Sequence, residues 1–148
     1  MSLLEYASKA LLAWWLGFFP FLEIYVAVPV AVASGLDPFS SVFWPVIGNF
    51  AAVPLILFAK ESLRRVKFFR RWLDREPSPR VDRWLHRYGL WVVLLLTPWI
   101  GVWAVAIAAA AAGMKKVPLM VATFISITIY GMVTGWIAWN TIHFIESR

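Results

Sequence analysis

Glu23 is the single charged residue in the stretch Phe18–Gly35, which reads FFPFLEIYVAVPVAVASG. Pro20 lies three positions before it and Pro29 six positions after it. An ionised carboxylate is costly in hydrocarbon, and each proline removes a helical hydrogen bond. A simple membrane anchor needs neither feature. An acid beside a broken helix is the chemistry of a membrane protein that handles ions or substrates. Low dielectric disfavours the ionised form, so a carboxyl held there can take up and release a proton near neutral pH, or pair with a cationic substrate. The plainer alternative is a structural Glu bonded to a neighbouring helix. Tyr25 is the nearest polar neighbour. Asn49, between Pro45 and Pro54, either satisfies backbone carbonyls freed by the prolines or lines a site with Glu23.

The remaining polar residues in apolar surroundings are Thr97, Thr123, Ser126, Thr128, Tyr130 and Thr134. Hydroxyls in membrane helices mostly bond back to their own backbone, so most of the Thr and Ser read as structural. His86 and His143 have no carboxylate or second histidine at metal-ligand spacing. No phosphate loop and no Ser-His-Asp set stands in the chain. The expectation is a protein that is not an enzyme, with no cofactor and no metal.

The composition places these residues in a bilayer. Of 148 residues, 61% are hydrophobic and 15% charged, against about 45–50% and about 25% in soluble domains. The length suits one membrane domain over 1–148 with no separate soluble domain. The net charge of +6 is interleaved with membrane-length apolar runs, so the expected counter-charge is anionic lipid headgroups and not nucleic acid. Ten tryptophans suit interfacial anchoring. There is no cysteine, hence no thiol chemistry. Ala31-Val32-Ala33 mimics a signal-peptidase site, but the long, proline-interrupted run before it predicts that no cleavage occurs. A prokaryotic plasma membrane is the expected location.

Four apolar blocks, 10–33, 39–59, 90–112 and 117–145, approach the roughly 20 residues that span a bilayer. The second and fourth read as spans; Gly131 and Gly135 give the fourth a close-packing face for another helix. The first and third are interrupted, at Phe19-Pro20 and at Thr97-Pro98-Trp99-Ile100-Gly101, so Pro20, Pro29, Pro98 and Gly101 are the expected breakers. Pro20 precedes Gly35 by fifteen positions and Pro98 precedes Gly113 by fifteen. In that alignment Glu23 falls opposite Gly101 and Tyr25 opposite Trp103. The pattern reads as an internal duplication, with half-repeats 1–68 and 79–148 joined by a basic linker, 60–88.

A break in mid-segment allows a kinked span or a re-entrant hairpin with arms of about 15 Å, half a hydrocarbon core of about 30 Å. Two hairpins make the halves inverted and put Lys115-Lys116 on the same side as the linker. Four full spans put them on the other side. Both arrangements give equal positive-inside totals and make 60–88 cytoplasmic.

In that linker Leu63, Val66, Phe69 and Leu73 form an apolar stripe among Arg64, Arg65, Lys67, Arg70 and Arg71. Ser78 and Pro79 open a second short helix, with Val81, Trp84, Leu85 and Tyr88 on one face and Arg80, Arg83 and Arg87 on another. Two basic amphipathic helices belong in the headgroup layer. Arg64, Arg65, Arg70, Arg71, Arg80, Arg83 and Arg87 are therefore the expected anionic-lipid contacts, each worth about 1 kcal/mol at an anionic surface.

Glu23-Ile24-Tyr25-Val26-Ala27-Val28-Pro29 with Gly35 resembles the E-x-R-x-A-I-P…G signature of the small multidrug export proteins. Arg87-Tyr88-Gly89, Pro98, Gly101, Trp103 and Gly113-Met114 resemble that family's second half. In outline the family is similar to DedA/VTT membrane proteins, whose paired re-entrant helices are linked to lipid scrambling and proton-dependent transport. The resemblance implies an all-α membrane protein of two inverted repeats, each a proline-broken re-entrant hairpin plus a transmembrane helix. It departs at Tyr25, where the signature has Arg, and in the second hairpin, which has no Arg; both losses count against a lipid-phosphate mechanism. The first reading is a proton- or ion-coupled exporter of a small amphipathic or cationic substrate. The second is a lipid scramblase or lipid carrier. The third is a non-transporting scaffold. A homodimer is a plausible cover for the broken segments.

Overall fold

The computed structural model describes residues 2–63, 65–67, 70–71, 74 and 79–147. Among them the structure is all-helical: α1 (Leu3–Phe18), α2 (Glu23–Ala33), α3 (Pro38–Leu63), α4 (Pro79–Tyr88), α5 (Leu90–Ile100), α6 (Val102–Ala111) and α7 (Lys116–Glu146). Two of these, over Pro38–Phe58 and Lys116–Ile142, are long and apolar enough to cross a membrane. Large apolar side chains stand exposed along α7, among them Phe124, Ile129, Met132, Val133, Trp136 and Ile137. In water such a stripe would be an aggregation surface; facing acyl chains it costs nothing.

The interruptions fall where the sequence places two of its four breakers. Pro20 is buried in the turn between α1 and α2, and Gly101 alone separates α5 from α6. The other two prolines do not break the chain: Pro29 lies inside α2 and Pro98 inside α5. Likewise α3 runs through Pro45 and Pro54. Proline in mid-helix deletes one hydrogen bond and leaves the carbonyl four residues earlier without its donor; a helix tolerates this in a membrane when a neighbour satisfies that carbonyl. α1 also begins earlier than the apolar block suggests. Ser2 caps it by accepting the Glu5 N–H at 3.2 Å, and Glu5 pairs with Lys9 at 2.8 Å.

The chain forms two compact units, Met1–Phe50 with Ile127–Arg148, and Ala51–Ser126. In the first, α1 and α2 pack against each other. The Tyr6 hydroxyl shares a hydrogen bond with Ser40 Oγ at 2.9 Å and accepts one from Trp44 Nε1 at 3.1 Å. The start of α1 therefore lies beside the start of α3. Backbones meet closely where α1 crosses α3: a Cβ on Gly17 would strike the Pro45 carbonyl oxygen, and one on Gly48 the Trp14 carbonyl oxygen. Gly131 and Gly135 of α7 face Val46 and Val42 of α3 at 2.8 and 2.6 Å from an added Cβ. The small-residue face of α7 thus packs against a helix of its own chain.

In the second unit α5 and α6 pack together, and α4 touches both. Val92 and Val93 of α5, Val105 and Ala109 of α6, and Leu119 and Ala122 of α7 form its core. The alanine-rich α6 allows this close approach, as small residues do between membrane helices. Lys116 at the start of α7 sets its ammonium 4.6 Å from the Phe58 ring, near the end of α3.

One hydrogen-bonded turn occurs in both units. Gly35 (φ 83°) ends α2 with Gly35 N–H to Val32 C=O and Leu36 N–H to Ala31 C=O, at 3.0 and 3.3 Å. Gly113 (φ 73°) ends α6 with Gly113 N–H to Ala110 C=O and Met114 N–H to Ala109 C=O, at 3.3 and 3.0 Å. Each is a glycine-ended helix stop sealed by an apolar contact, Leu36 clustered with Ala31 and Met114 with Ala109. The next helix starts at the same distance in each case, at Pro38 and Lys116. Asp37 opens α3, its carboxylate accepting the Ser40 N–H at 3.0 Å. Hydrogen bonds from the Ser40 hydroxyl and backbone hold its carboxyl below the usual carboxylate range.

Because the Gly48 crossing has no room for a methyl group, Gly48→Ala should lower stability by about 1–3 kcal/mol, the usual cost of overpacking, read as a fall in Tm of the detergent-purified protein. Gly35→Ala meets open space and should act only through backbone strain, with a smaller fall.

Candidate functional site

The site is built around the turn from α1 to α2. Helix α1 stops because Pro20 supplies no N–H to the Leu16 carbonyl. Phe19 N–H returns to Trp15 C=O at 3.0 Å. Gly17 C=O, one of the last four carbonyls of α1, is met by Asn49 from α3, whose Nδ2 donates to it at 2.9 Å. Asn49 is 1% exposed. It satisfies a carbonyl at the end of α1, and not one that Pro45 or Pro54 frees within its own helix. Among the described residues its Oδ1 has no hydrogen-bond partner, and neither does the buried Thr128 Oγ1.

Glu23 is the first residue of α2 and half-buried, with φ 44°. Phe21, two residues earlier, has φ 80°. Positive φ costs an L-residue roughly 1–2 kcal/mol because its Cβ crowds the backbone, and such conformations cluster at functional sites. At the same place before α6 the chain uses Gly101, φ 88°, which carries no such penalty. The carboxylate thus occupies a backbone position that glycine would fill more comfortably. Tyr25 lies within electrostatic reach of both Glu23 and Tyr130 of α7, and is 46% exposed.

The structure thus brings Glu23 and Tyr25 together and adds Tyr130. It sets Asn49 against the end of α1, in the same unit. Thr128, Tyr130 and the Gly17 carbonyl were not singled out by sequence. The two hydroxyls were legible as polar atoms in an apolar span but not as neighbours of this turn, and a backbone carbonyl leaves no trace in side-chain pattern. The rule that membrane hydroxyls bond their own helix holds for Thr97 to Val93 C=O, and for Thr123 to Leu119 C=O at 2.8 Å. Ser126 departs from it. Its Oγ donates at 2.7 Å to Leu94 C=O, the carbonyl that Pro98 leaves without a helical donor. The second broken segment is therefore repaired by α7 much as the first is repaired by α3.

Of the basic residues, Arg65, Arg70, Arg71, Arg80, Arg83 and Arg87 are exposed. Arg70 pairs with Asp74 at 3.7 Å, Arg83 Nε bonds Pro79 C=O at 3.1 Å, and Arg87 lies 5.5 Å from the Tyr88 ring centre. Arg64, Phe69, Leu73 and Ser78 lie outside the described residues, and Val81, Trp84, Leu85, His86 and His143 are described in their backbone alone.

A family described as "Putative small multi-drug export protein" matches residues 23–133, which runs from the acid at the turn through most of α7. The chain belongs to this family. No curated protein and no solved structure matches it. Membership makes the chain an integral membrane protein of a transporter-type family, in keeping with its two membrane-length helices. In this member of the family, the match begins at the residue that the fold holds in a left-handed conformation.

Two substitutions test the turn. Glu23→Gly should raise Tm, because it removes the left-handed penalty. Ser126→Ala should lower stability by about 1–3 kcal/mol, since the buried Leu94 carbonyl then lacks its donor; thermal denaturation in detergent reads both.

Proposed function

We propose that this protein is a small secondary transporter, proton- or ion-coupled, exporting an amphipathic or cationic substrate through a site at the α1–α2 turn. The observation that carries this reading is Glu23 itself, an acid at a helix break inside a membrane domain, in a backbone conformation that glycine would adopt with less strain. Strain kept at one residue where the opposite half has glycine is a reason to look for chemistry there. Protonation would cancel the charge, and the turn could then change shape without carrying an ion through hydrocarbon.

The architecture we infer is two inverted repeats, each a re-entrant helix pair followed by a spanning helix. Three observations support it. Tyr6 at the start of α1 meets Ser40 and Trp44 at the start of α3, which supports an α1–α2 pair that returns to the side it left. Lys116 at the start of α7 meets Phe58 near the end of α3, a contact that favours the hairpin arrangement over the four-span one. The exposed Phe19, Phe21, Trp99 and Ile100 at the two breaks suit tips within the apolar layer. On this reading both termini lie outside, and the exposed arginines of the linker with Lys115 and Lys116 meet anionic headgroups on the cytoplasmic side.

The native chain has no cysteine, so single cysteines report topology directly. Cysteines at positions 2 and 147 should react with an impermeant maleimide from outside intact cells, and those at 67 and 115 only after permeabilisation. Labelling of 115 together with the termini would refute the hairpins. For function, proteoliposomes should show proton-driven efflux of a cationic dye that falls at least about tenfold in Glu23→Gln. Unchanged efflux in that variant would reject the mechanism, and lipid flipping without dye efflux in the same preparation would favour the scramblase reading.

A further inference from the structure

Among the described residues, two oxygens buried in the first unit, Asn49 Oδ1 and Thr128 Oγ1, have no hydrogen-bond partner, and helix register sets their residues at one level. Val46 of α3 faces Gly131 of α7, and Val42 faces Gly135. The two helices thus run antiparallel through this contact. Continuing by one turn sets Asn49 opposite Thr128, since 42, 46 and 49 share one helical face and 135, 131 and 128 share another. Asn49 stands where that face adjoins the Pro45 and Gly48 face that touches α1. Its amide nitrogen is engaged by Gly17 C=O, so its Oδ1 is left as an acceptor at the C-terminal end of α1. That end carries the negative pole of the helix dipole. The Leu16 carbonyl there has lost its helical donor to Pro20. Neutral oxygens at a half-helix C-terminus are how broken membrane helices hold alkali cations. A buried oxygen with no partner otherwise carries a penalty of about 1–3 kcal/mol.

We propose that Asn49 Oδ1 and Thr128 Oγ1, at the C-terminal end of α1, form a site for a dehydrated alkali-metal cation, with sodium as the probe. The site takes its side-chain ligands from α3 and α7 beside the end of α1, which Asn49 caps, so an ion there ties the two long helices together next to the broken one. It does not depend on the carrier reading, because the ion could be structural or could be the coupling ion.

The test is the melting temperature of the full chain in detergent, titrated with sodium chloride against choline chloride at equal ionic strength. Binding to the folded state alone predicts a saturable rise in Tm with sodium. Thr128→Val keeps the shape and the Gly17 cap and removes one ligand. It should leave Tm in choline chloride near the wild-type value and raise the half-saturating sodium concentration about tenfold or more, equivalent to about 1.4 kcal/mol. Asn49→Ala should abolish the sodium response, but it also uncaps α1, so Thr128→Val is the deciding variant. Equal melting in sodium and choline would overturn the proposal, as a buried water on the same oxygens would produce. A wild-type sodium titration in Thr128→Val would overturn it too. The readout is binding and not transport, so failure here leaves the carrier reading standing, and failed dye efflux leaves this site standing.

Discussion

Inside a bilayer a broken helix exposes backbone carbonyls that water cannot reach, and everything else in this fold answers that constraint. Each unsatisfied group there costs several kcal/mol. The protein breaks two helices and repairs both with a side chain from a long helix. Asn49 of α3 reaches Gly17 C=O at the end of α1, and Ser126 of α7 reaches Leu94 C=O ahead of Pro98. For a short side chain to reach a neighbouring backbone, the helices must approach closely. Gly17, Gly48, Gly131 and Gly135 are the positions that permit this in the first unit, and the alanines of α6 serve the second. Polar repair and small-residue packing are one device, because neither helps without the other.

Most of the architecture could be read from the chain because it is encoded in local chemistry. The apolar blocks, the break at Pro20, the break at Gly101 and the glycine stops at Gly35 and Gly113 each follow from one residue's backbone preferences. Pro29 and Pro98 misled for a physical reason. Proline blocks a helix through its missing N–H, and whether the helix survives depends on who satisfies the orphaned carbonyl. Ser126 decides that for Pro98, and Ser126 is distant in sequence. The same limit explains the site. Glu23 and Asn49 stood out as polar residues in oil, whereas Thr128 and Tyr130 acquired their neighbours only through the antiparallel register of α3 and α7.

On the transporter reading, an acid at the α1–α2 turn suits cations and protons better than phosphates. An anion site in a broken membrane helix uses a helix N-terminus or guanidinium groups. Here the carboxylate of Glu23 opens α2, and the Asn49 side chain meets the C-terminal end of α1. Among the described residues, Arg65, Arg70, Arg71, Arg80, Arg83 and Arg87 lie in the linker and on α4 and are exposed.

The two broken segments share a framework but not a chemistry, and this asymmetry bears most on function. The Gly35 and Gly113 turns have matching hydrogen bonds, and the long helices begin at equivalent places after them. If the framework alone were required, the position before each second arm would settle on glycine, as it does at Gly101. At Glu23 the chain retains a side chain that strains the backbone and resists burial. A scaffold gains nothing from either penalty. On the transporter reading both penalties have a use: strain marks a position poised to change conformation, and burial opposes the charged form, so that protonation would favour one conformation over the other.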